Sequence, residues 1–248
     1  LRRVRCDIGR SAVETHGDPL PEETLDQMRR ADSCLFGAVT SSPEREHRSA
    51  VLTFRKELDL RANVRPVRNL VQIPGRAPID VVIVRENSEG LYTQDEVHEA
   101  GGVTTRRRVT SSACLRITQS AIDVARTMGR RRICCVHKAN VLKESDGLFL
   151  RVFRETMAAA PGLEASDQLV DSAAMRLVTD PGSFDTVVTL NLYGDILSDV
   201  AAGVAGGLGF APSGNIGLRH SVFEPAHRSA PDIAGMGIAN PSAAIAGR

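Results

Sequence analysis

Short apolar runs alternate along the chain with longer stretches in which apolar residues recur at helical spacing. Four runs have the length and β-branched content of strands, at residues 33–39, 80–86, 132–138 and 184–192. Helical spacing covers residues 21–31, 49–60, 112–130 and 146–160, the last with Asp146 as its capping residue. Because strand-like and helical segments alternate, the pattern predicts a layered α/β fold.

Two further segments break this alternation. Residues 91–111 carry β-branched residues around Gly101 and Gly102, which predicts a hairpin that projects from the domain and clasps a second subunit. Residues 224–241, "EPAHRSAPDIAGMGIANP", are rich in proline, alanine and glycine and read as a loop.

The composition excludes several classes of partner. Lys plus Arg (31) nearly balances Asp plus Glu (30), so no overall field attracts nucleic acid or an anionic membrane. No apolar run reaches the length of a membrane span, and residues 1–10 lack the apolar core of a signal peptide, so we expect a cytoplasmic location. The five cysteines have no metal-ligand spacing and are predicted to be reduced packing residues. Since the chain starts at Leu1 and stops after "PSAAIAGR", we expect it to be truncated at both ends.

Two aspartates four residues apart follow the last apolar run, in "NLYGDILSD". If Gly194 makes a tight turn and a helix starts there, Asp195 and Asp199 lie on one helix face, where two carboxylates can hold a divalent cation. The alternative is that Asp195 caps the helix and Asp199 is a solvated charge. The residues alone leave the two interpretations even.

Basic and phenolic side chains supply further candidates for chemistry. Arg55, Arg65 and Arg85 could converge on one cleft and hold carboxylates, although each alone is more commonly a surface charge. Lys138 ends a strand and Tyr92 is one of two tyrosines, so both are candidates for proton transfer. The ordinary alternative is a solvated lysine and a half-buried tyrosine. The chain has no G-x-G-x-x-G, P-loop, nucleophile elbow or zincin motif, so any nucleotide binds outside a Rossmann fingerprint.

Several long motifs nevertheless resemble one known family in order and in approximate spacing. They are "RENSEGLY", "VHKANVLKESDGLFL", "NLYGDILSD", "GGLGFAPSGNIG" and "SAPDIAGMGIANP". The family is that of the β-decarboxylating dehydrogenases that act on isocitrate, homoisocitrate, 3-isopropylmalate and tartrate. The resemblance implies a two-domain, open-sheet isopropylmalate/isocitrate dehydrogenase-like fold, different from the Rossmann fold.

The resemblance implies a shared active site in a homodimer. Residues matching Asp195 and Asp199, with Asp171 of the partner subunit, hold Mg²⁺ or Mn²⁺ against the substrate. Lys138 of the partner subunit takes the hydroxyl proton as hydride leaves for nicotinamide. Tyr92 later protonates the carbon from which CO₂ has left.

The resemblance also implies the contacts of the substrate and of the cofactor. Residues matching Arg55, Arg65 and Arg85 clamp the substrate carboxylates. Asp232 accepts hydrogen bonds from the ribose hydroxyls and repels a 2′-phosphate, which favours NAD over NADP. The full set of residues implied to bind the cofactor is Glu224, His227, Ser229, Ala230, Asp232 and Asn240.

Two residues of one segment give conflicting indications of the substrate. Ser49 stands six residues before Arg55, where isocitrate-using relatives place a serine that contacts the extra carboxylate. Val51 is aliphatic, as suits an isopropyl group. Homoisocitrate or isocitrate therefore leads narrowly over 3-isopropylmalate and tartrate.

Some positions depart from the family pattern. The N-terminal strand with its "GDGIGPE"-type turn and the C-terminal helices have no counterpart in the sequence, and Arg228 replaces the glycine usual after His227. These departures keep two alternatives open, a non-catalytic regulatory subunit and an inactive fragment. Such subunits usually lack a metal aspartate, the tyrosine or the lysine. This chain has all of them, so the enzyme interpretation leads.

The family layout also predicts the domain organisation. Residues 1–60 and 207–248 would form a split nucleotide-side domain, and residues 61–206 the dimerisation domain with the metal and substrate residues. The substrate would lie in the cleft between them.

Overall fold

The computed structural model describes residues 2–39, 49–69, 74, 77–227 and 229–247. Within these residues, ten strands form one large mixed sheet and one separate hairpin. In chain order they are β1 (Cys34–Leu35), β2 (Ala62–Arg68), β3 (Asp80–Glu86), β4 (Glu96–Glu99), β5 (Gly102–Thr105), β6 (Arg132–His137), β7 (Glu164–Leu169), β8 (Thr186–Thr189), β9 (Pro212–Ile216) and β10 (Ser221–Pro225).

Eight α-helices lie among the described residues. They are α1 (Arg10–His16), α2 (Glu22–Arg30), α3 (Ala50–Glu57), α4 (Ser111–Thr127), α5 (Ser145–Ala158), α6 (Val170–Thr179), α7 (Asn191–Ala205) and α8 (Ser242–Ala246). The four helices predicted from residue spacing correspond to α2, α3, α4 and α5. The mixed α/β fold predicted from the sequence is confirmed.

The large sheet has a parallel half and an antiparallel half. Its strand order is β1-β10-β9-β2-β3-β8-β6-β7. β3, β8, β6 and β7 run parallel, whereas β2 is antiparallel to both β3 and β9. Parallel strands end at the same edge of a sheet, so the segments that follow β3, β8, β6 and β7 lie along one edge.

Both faces of the parallel half are covered by helices. Val82 and Val84 of β3 pack in a core with α4 and α5, while Val81 and Ile83 pack in a second core with α6 and α7. Since successive side chains of a strand point to opposite faces, the two cores lie on opposite sides of the sheet. A third core joins α2 and α3 to Val222 of β10.

The apolar runs predicted some strands and missed others. β3 and β6 match the predicted runs closely, and β8 occupies the middle of its run. The run 33–39 yields only the two residues of β1. β2, β7, β9 and β10 were not predicted, because β2 contains Pro66 and two arginines and β7 has an exposed, polar sequence.

Two local predictions were wrong. Asp146 does not cap a helix: it lies inside α5, is completely buried and accepts hydrogen bonds from Arg107 and from the backbone of Lys138. Gly194 makes no turn either, because α7 begins three residues earlier at Asn191. A buried carboxylate with two charge-assisted or backbone donors is satisfied without a capping role.

The hairpin of β4 and β5 is present as predicted. All five cysteines are free, with Cys114, Cys134 and Cys135 buried. Burial raises the pKa of the Cys114 thiol to about 12, so this thiol is protonated at neutral pH. In the described part of the chain, no helix combines the length and the apolar character that a bilayer span requires. The division into domains near residues 60 and 206 stays a prediction.

Candidate active site

The candidate catalytic residues gather at the edge where the parallel strands end. Arg85 is the penultimate residue of β3, and Lys138 directly follows β6. Asp171 lies at the start of α6 after β7, and Asp195 lies near the start of α7 after β8. Ligand sites of open α/β sheets lie at this edge.

Asp195 is the centre of the first group of contacts. Its Oδ1 lies 2.5 Å from Arg85 Nη1 and 3.2 Å from Arg65 Nη2. Its Oδ2 accepts a hydrogen bond of 2.5 Å from the Tyr92 hydroxyl. Two guanidinium groups from different strands therefore converge on a single carboxylate oxygen.

Arg65 also reaches the next turn of α7. Its Nη1 donates to Ser198 Oγ at 2.6 Å and lies 3.4 Å from Asp199 Oδ1. Because one guanidinium contacts both aspartates, Asp195 and Asp199 share a face of α7, as their spacing predicts. Asp199 is the more exposed of the two, with 56% of its side-chain surface accessible.

The charges of this group shift its pKa values. Burial lowers the pKa of Arg55 and of Arg65, and the positive charge of Arg85 lowers both further. Burial opposes ionisation of Asp195, but Arg85 and the Tyr92 hydrogen bond outweigh it, and the pKa of Asp195 falls below the ordinary aspartate value. The site is thus a cluster of cationic side chains around the ionised carboxylate of Asp195.

The ring and the hydroxyl group of Tyr92 both contact residues of the site. It lies in a short 3₁₀ turn, Leu91–Thr93, and its ring packs against the Arg85 guanidinium, whose Cζ is 4.6 Å from the ring centroid. Burial raises the pKa of the Tyr92 hydroxyl, and the bond to Asp195 acts in the same direction. The phenol therefore holds its proton at neutral pH.

Lys138 and Asp171 form a second group. Lys138 Nζ lies 2.8 Å from Asp171 Oδ1, and this bond lowers the pKa of Asp171. The backbone N–H of Lys138 donates to Asp146 Oδ2 at 2.7 Å, while Asp146 Oδ1 accepts 2.7 Å from Arg107 Nη1. The buried pair of Asp146 and Arg107 thereby fixes the start of the Lys138 segment.

The carboxylates of α7 suit a hard divalent cation. Asp195 and Asp199 supply oxygen atoms, the ligands that Mg²⁺ and Mn²⁺ prefer. Across the residues whose placement is described, no three His, Cys, Asp or Glu side chains cluster to hold a metal ion. Asp171 of the same chain pairs with Lys138 instead of completing the set, so the two α7 carboxylates fit a cation whose further ligands come from elsewhere.

The predicted substrate residues outside this edge lie on neighbouring elements. Arg55 is on α3, and its Nη2 lies 3.2 Å from Oε1 of Glu224 on β10. Ser49 is the N-cap of α3, where its Oγ accepts from Leu52 N at 3.4 Å. Glu224, predicted from the resemblance to bind cofactor, is thus the ion-pair partner of a predicted substrate arginine.

The other predicted cofactor residues follow β10. His227, Ser229, Ala230 and Asp232 lie in the predicted loop, Asp232 within the short 3₁₀ turn Pro231–Ile233 and exposed. Asn240 Oδ1 accepts from the backbone N–H of Ser242 at the start of α8. Arg228, the departure from the family pattern, lies outside the described residues.

A buried amide cluster beside the arginines was not predicted from the sequence. Asn63 of β2 and Asn215 of β9 are completely buried, and Ser213 and Asn87 adjoin them. The one local sign is Asn63 two residues before Arg65, which in a strand places both side chains on one face.

Comparison with known proteins identifies the family of the chain. The sequence profile described as isocitrate/isopropylmalate dehydrogenase matches residues 1–247. The 3-isopropylmalate dehydrogenase of Methanothermobacter thermautotrophicus is 46% identical over 99% of this chain and 74% of its own length. The isocitrate/homoisocitrate dehydrogenase of Thermus thermophilus is also 46% identical, over 99% of this chain and 74% of its own.

A solved structure extends the similarity to three dimensions. The crystal structure of isocitrate dehydrogenase from Methylococcus capsulatus superposes with a TM-score of 0.91 at 43% identity, covering 96% of this chain and 72% of that one. The fold predicted from the motifs is confirmed. The chain belongs to the isocitrate/isopropylmalate dehydrogenase family and is an enzyme of the β-decarboxylating dehydrogenase class.

Proposed function

We propose that this chain, as a homodimer, catalyses the NAD-dependent oxidative decarboxylation of a 2-hydroxy acid that carries a carboxylate at C3, with Mg²⁺ or Mn²⁺. Homoisocitrate or isocitrate is the leading substrate, and 3-isopropylmalate and tartrate are the alternatives. The observation that carries the proposal is a set of buried guanidinium nitrogens without a hydrogen-bond partner among the described residues: Arg55 Nε, Arg85 Nε and Arg85 Nη2.

Such nitrogens point to an anionic ligand. A buried, unsatisfied donor costs about 1–3 kcal/mol, and more when it is charged. Arg85 and Arg65 already hold one carboxylate oxygen, that of Asp195, so their geometry suits carboxylate binding. A substrate with several carboxylates would satisfy the remaining donors.

Each step of the reaction has a residue to support it. Asp195 and Asp199 would hold the divalent cation, which when bound stabilises negative charge developing on the substrate oxygen. The hydroxyl proton would pass to Lys138 of the partner subunit, and NAD, when held by the residues that follow β10, would supply the acceptor for the hydride of C2. The bond from C3 to the carboxylate then breaks to release CO₂, and Tyr92 donates its proton to C3.

The state of Tyr92 supports its role as an acid. Its raised pKa keeps the proton on the hydroxyl at neutral pH, and Arg85 fixes the ring. The contacts of Lys138 and Asp171 support a shared site, because within one chain they bind each other while Asp195 binds Arg65, Arg85 and Tyr92. Both residues would then serve the active site of the second subunit.

The choice of substrate rests on the start of α3. Val51 is half-buried and packs against the third core, and Ser49 keeps a hydroxyl proton to donate to a carboxylate. These contacts favour a tricarboxylate. The relatives themselves do not discriminate, since proteins named for isopropylmalate and for isocitrate/homoisocitrate are equally similar at 46% identity.

NADH formation tests the proposal. The protein with Mg²⁺ is offered homoisocitrate, isocitrate, 3-isopropylmalate and tartrate separately, with NAD or NADP. We expect turnover of one acid with NAD, lost in Asp195→Asn and kept in Asp123→Asn, which changes an exposed carboxylate of α4. No turnover of any acid by a folded dimer would overturn the proposal and favour one of the two alternatives, a non-catalytic subunit or an inactive fragment.

A further inference from the structure

A continuous line of buried and partly buried hydrogen bonds joins two of the arginines. Arg65 Nε donates to Asn63 Oδ1 at 2.8 Å. Asn63 Nδ2 donates to Asn215 Oδ1 at 2.9 Å, and Asn215 Nδ2 donates to Glu224 Oε1 at 2.7 Å. Glu224 Oε1 also accepts from Arg55 Nη2 at 3.2 Å, so the line runs from Arg65 to Arg55.

The strand register creates this line. Asn63 of β2 and Asn215 of β9 are direct cross-strand partners. Arg65 is two residues from Asn63 on the same strand face, and β10 brings Glu224 beside β9. Three neighbouring strands therefore place polar side chains next to one another in a largely buried region, where they satisfy one another's hydrogen-bonding groups.

Each amide in the line has only one workable orientation. A guanidinium can only donate and a carboxylate can only accept, so the two ends fix the direction of every bond between them. If Asn63 were flipped, its amide hydrogens would face Arg65 Nε and its oxygen would face the oxygen of Asn215. Aligned hydrogen bonds also polarise one another, which strengthens each of them.

We propose that Asn63 and Asn215 are positioning residues for substrate binding, because they hold the guanidinium groups of Arg65 and Arg55 in one fixed arrangement around Glu224. This inference rests on the proposed role of the two arginines in binding carboxylates. Two arginines that are already held in the binding arrangement lose less conformational entropy when the acid binds than two mobile arginines would. The residues touch no substrate themselves and act on the affinity for the acid.

Asn87 provides a matched control. Its Nδ2 also donates to Asn215 Oδ1, at 3.1 Å, and to Leu60 O at 2.9 Å, but it lies on a branch outside the line between the arginines. Asn63→Ala and Asn87→Ala both remove a buried amide next to Asn215. Only Asn63→Ala removes the hydrogen bond to Arg65.

Titration calorimetry with Mg²⁺ and each of homoisocitrate, isocitrate and 3-isopropylmalate measures the effect. We expect Asn63→Ala to raise the dissociation constant of the bound acid about tenfold or more, since Arg65 loses a charge-assisted hydrogen bond. Asn87→Ala should change it less than about twofold at a similar loss of melting temperature. In an Arg65→Lys background, which lacks Nε, the effect of Asn63→Ala on the dissociation constant should disappear.

Equal weakening of acid binding by both alanine variants, or an unchanged effect in the Arg65→Lys background, would show that Asn63 is merely structural. Acid binding without turnover by the parent chain would overturn the proposed function, while the comparison of variants would still decide this inference. A parent chain that binds none of the acids would overturn both.

Discussion

A Cβ atom added at Gly194 would lie 2.7 Å from both Cβ and Cγ of Arg85. Gly194 sits in the first turn of α7, directly against the side chain of Arg85, the penultimate residue of β3. Its lack of a side chain leaves room for Arg85 to pass beneath the helix and reach Asp195. This glycine is needed for close packing, and the turn predicted from the sequence does not exist.

Gly194→Ala should displace Arg85 and damage both stability and substrate binding. Overpacking costs about 1–3 kcal/mol, which outweighs the roughly 1 kcal/mol that alanine gains in helix propensity. We expect a lower melting temperature and a KM for the acid raised about tenfold or more. Gly203→Ala on the same helix meets no atom within 4 Å and should only stabilise the chain. A KM for the acid that is unchanged in Gly194→Ala would show that the position of Arg85 does not depend on Gly194.

Tyr92→Phe removes the hydroxyl group of Tyr92 and keeps its ring, so it distinguishes the contributions of the two. The phenyl ring keeps its contact with Arg85, and the donor to Asp195 Oδ2 is lost. Because a positioned acid contributes about 10²–10⁴-fold to a rate, kcat should fall by about 10²-fold or more while KM for the acid changes little. Steady-state kinetics measures both quantities, and a change confined to KM would assign Tyr92 to binding.

Mixing two inactive variants tests the shared site. In a heterodimer of Lys138→Ala and Tyr92→Phe chains, one active site receives both substitutions and the other receives neither. Random reassembly should therefore restore about a quarter of the parent activity, since about half of the dimers are mixed and each has one intact site. Activity that does not recover, from mixed dimers confirmed by mass spectrometry, would place Lys138 and Tyr92 in the same site of one chain.

The lowered pKa of Asp195 gives its substitution a defined pH dependence. Ionised Asp195 stabilises the folded chain above the pKa of an unfolded aspartate, about 3.9, and this stabilisation is lost as the pH falls through the lower folded-state pKa. The difference in free energy of unfolding between the parent and Asp195→Asn should thus be constant above about pH 5 and shrink below about pH 4. Urea titrations across this range measure it. A difference in free energy of unfolding that does not vary with pH would show that the pKa of Asp195 is not lowered in the folded chain.

Asp232 should control the choice of nucleotide. It is exposed in the loop that the family resemblance assigns to adenosine, where its charge would repel a 2′-phosphate. Asp232→Ser should lower the ratio of kcat/KM for NAD to that for NADP by about tenfold. The same change at exposed Asp123 should leave this ratio unaltered. An unchanged ratio in Asp232→Ser would remove the residue from nucleotide recognition.

The sequence was sufficient to predict an element wherever burial produces a local pattern of apolar residues. The apolar run of β3 and the periodic spacing of α4 are buried on defined faces, and both were predicted closely. β2 was missed because its strand position comes from partners on both sides, β3 and β9, which outweigh the unfavourable Pro66. Partners so far away along the chain leave no local pattern.

The same limit applies to the site. The spacing of Asp195 and Asp199 predicted a common helix face, and Arg65 contacts both. Whether Arg65 and Arg85 meet there depended on a resemblance spanning many motifs. The pairing of Asn63 with Asn215 joins residues 152 positions apart and follows only from the strand register. Asp146 looked like a cap because a carboxylate before a helical stretch usually is one, whereas here Arg107 makes its burial favourable.

The hairpin of β4 and β5 has a consequence for how the protein responds to dilution. Every residue of β5 is exposed, and among the residues that the structure describes the two strands pair only with each other. A two-stranded hairpin alone is marginally stable in water, so its amides should exchange with deuterium quickly unless a second subunit covers them. Protection in this hairpin should therefore rise with protein concentration while the amides of β3 exchange slowly throughout, which makes one short segment a direct reporter of subunit association.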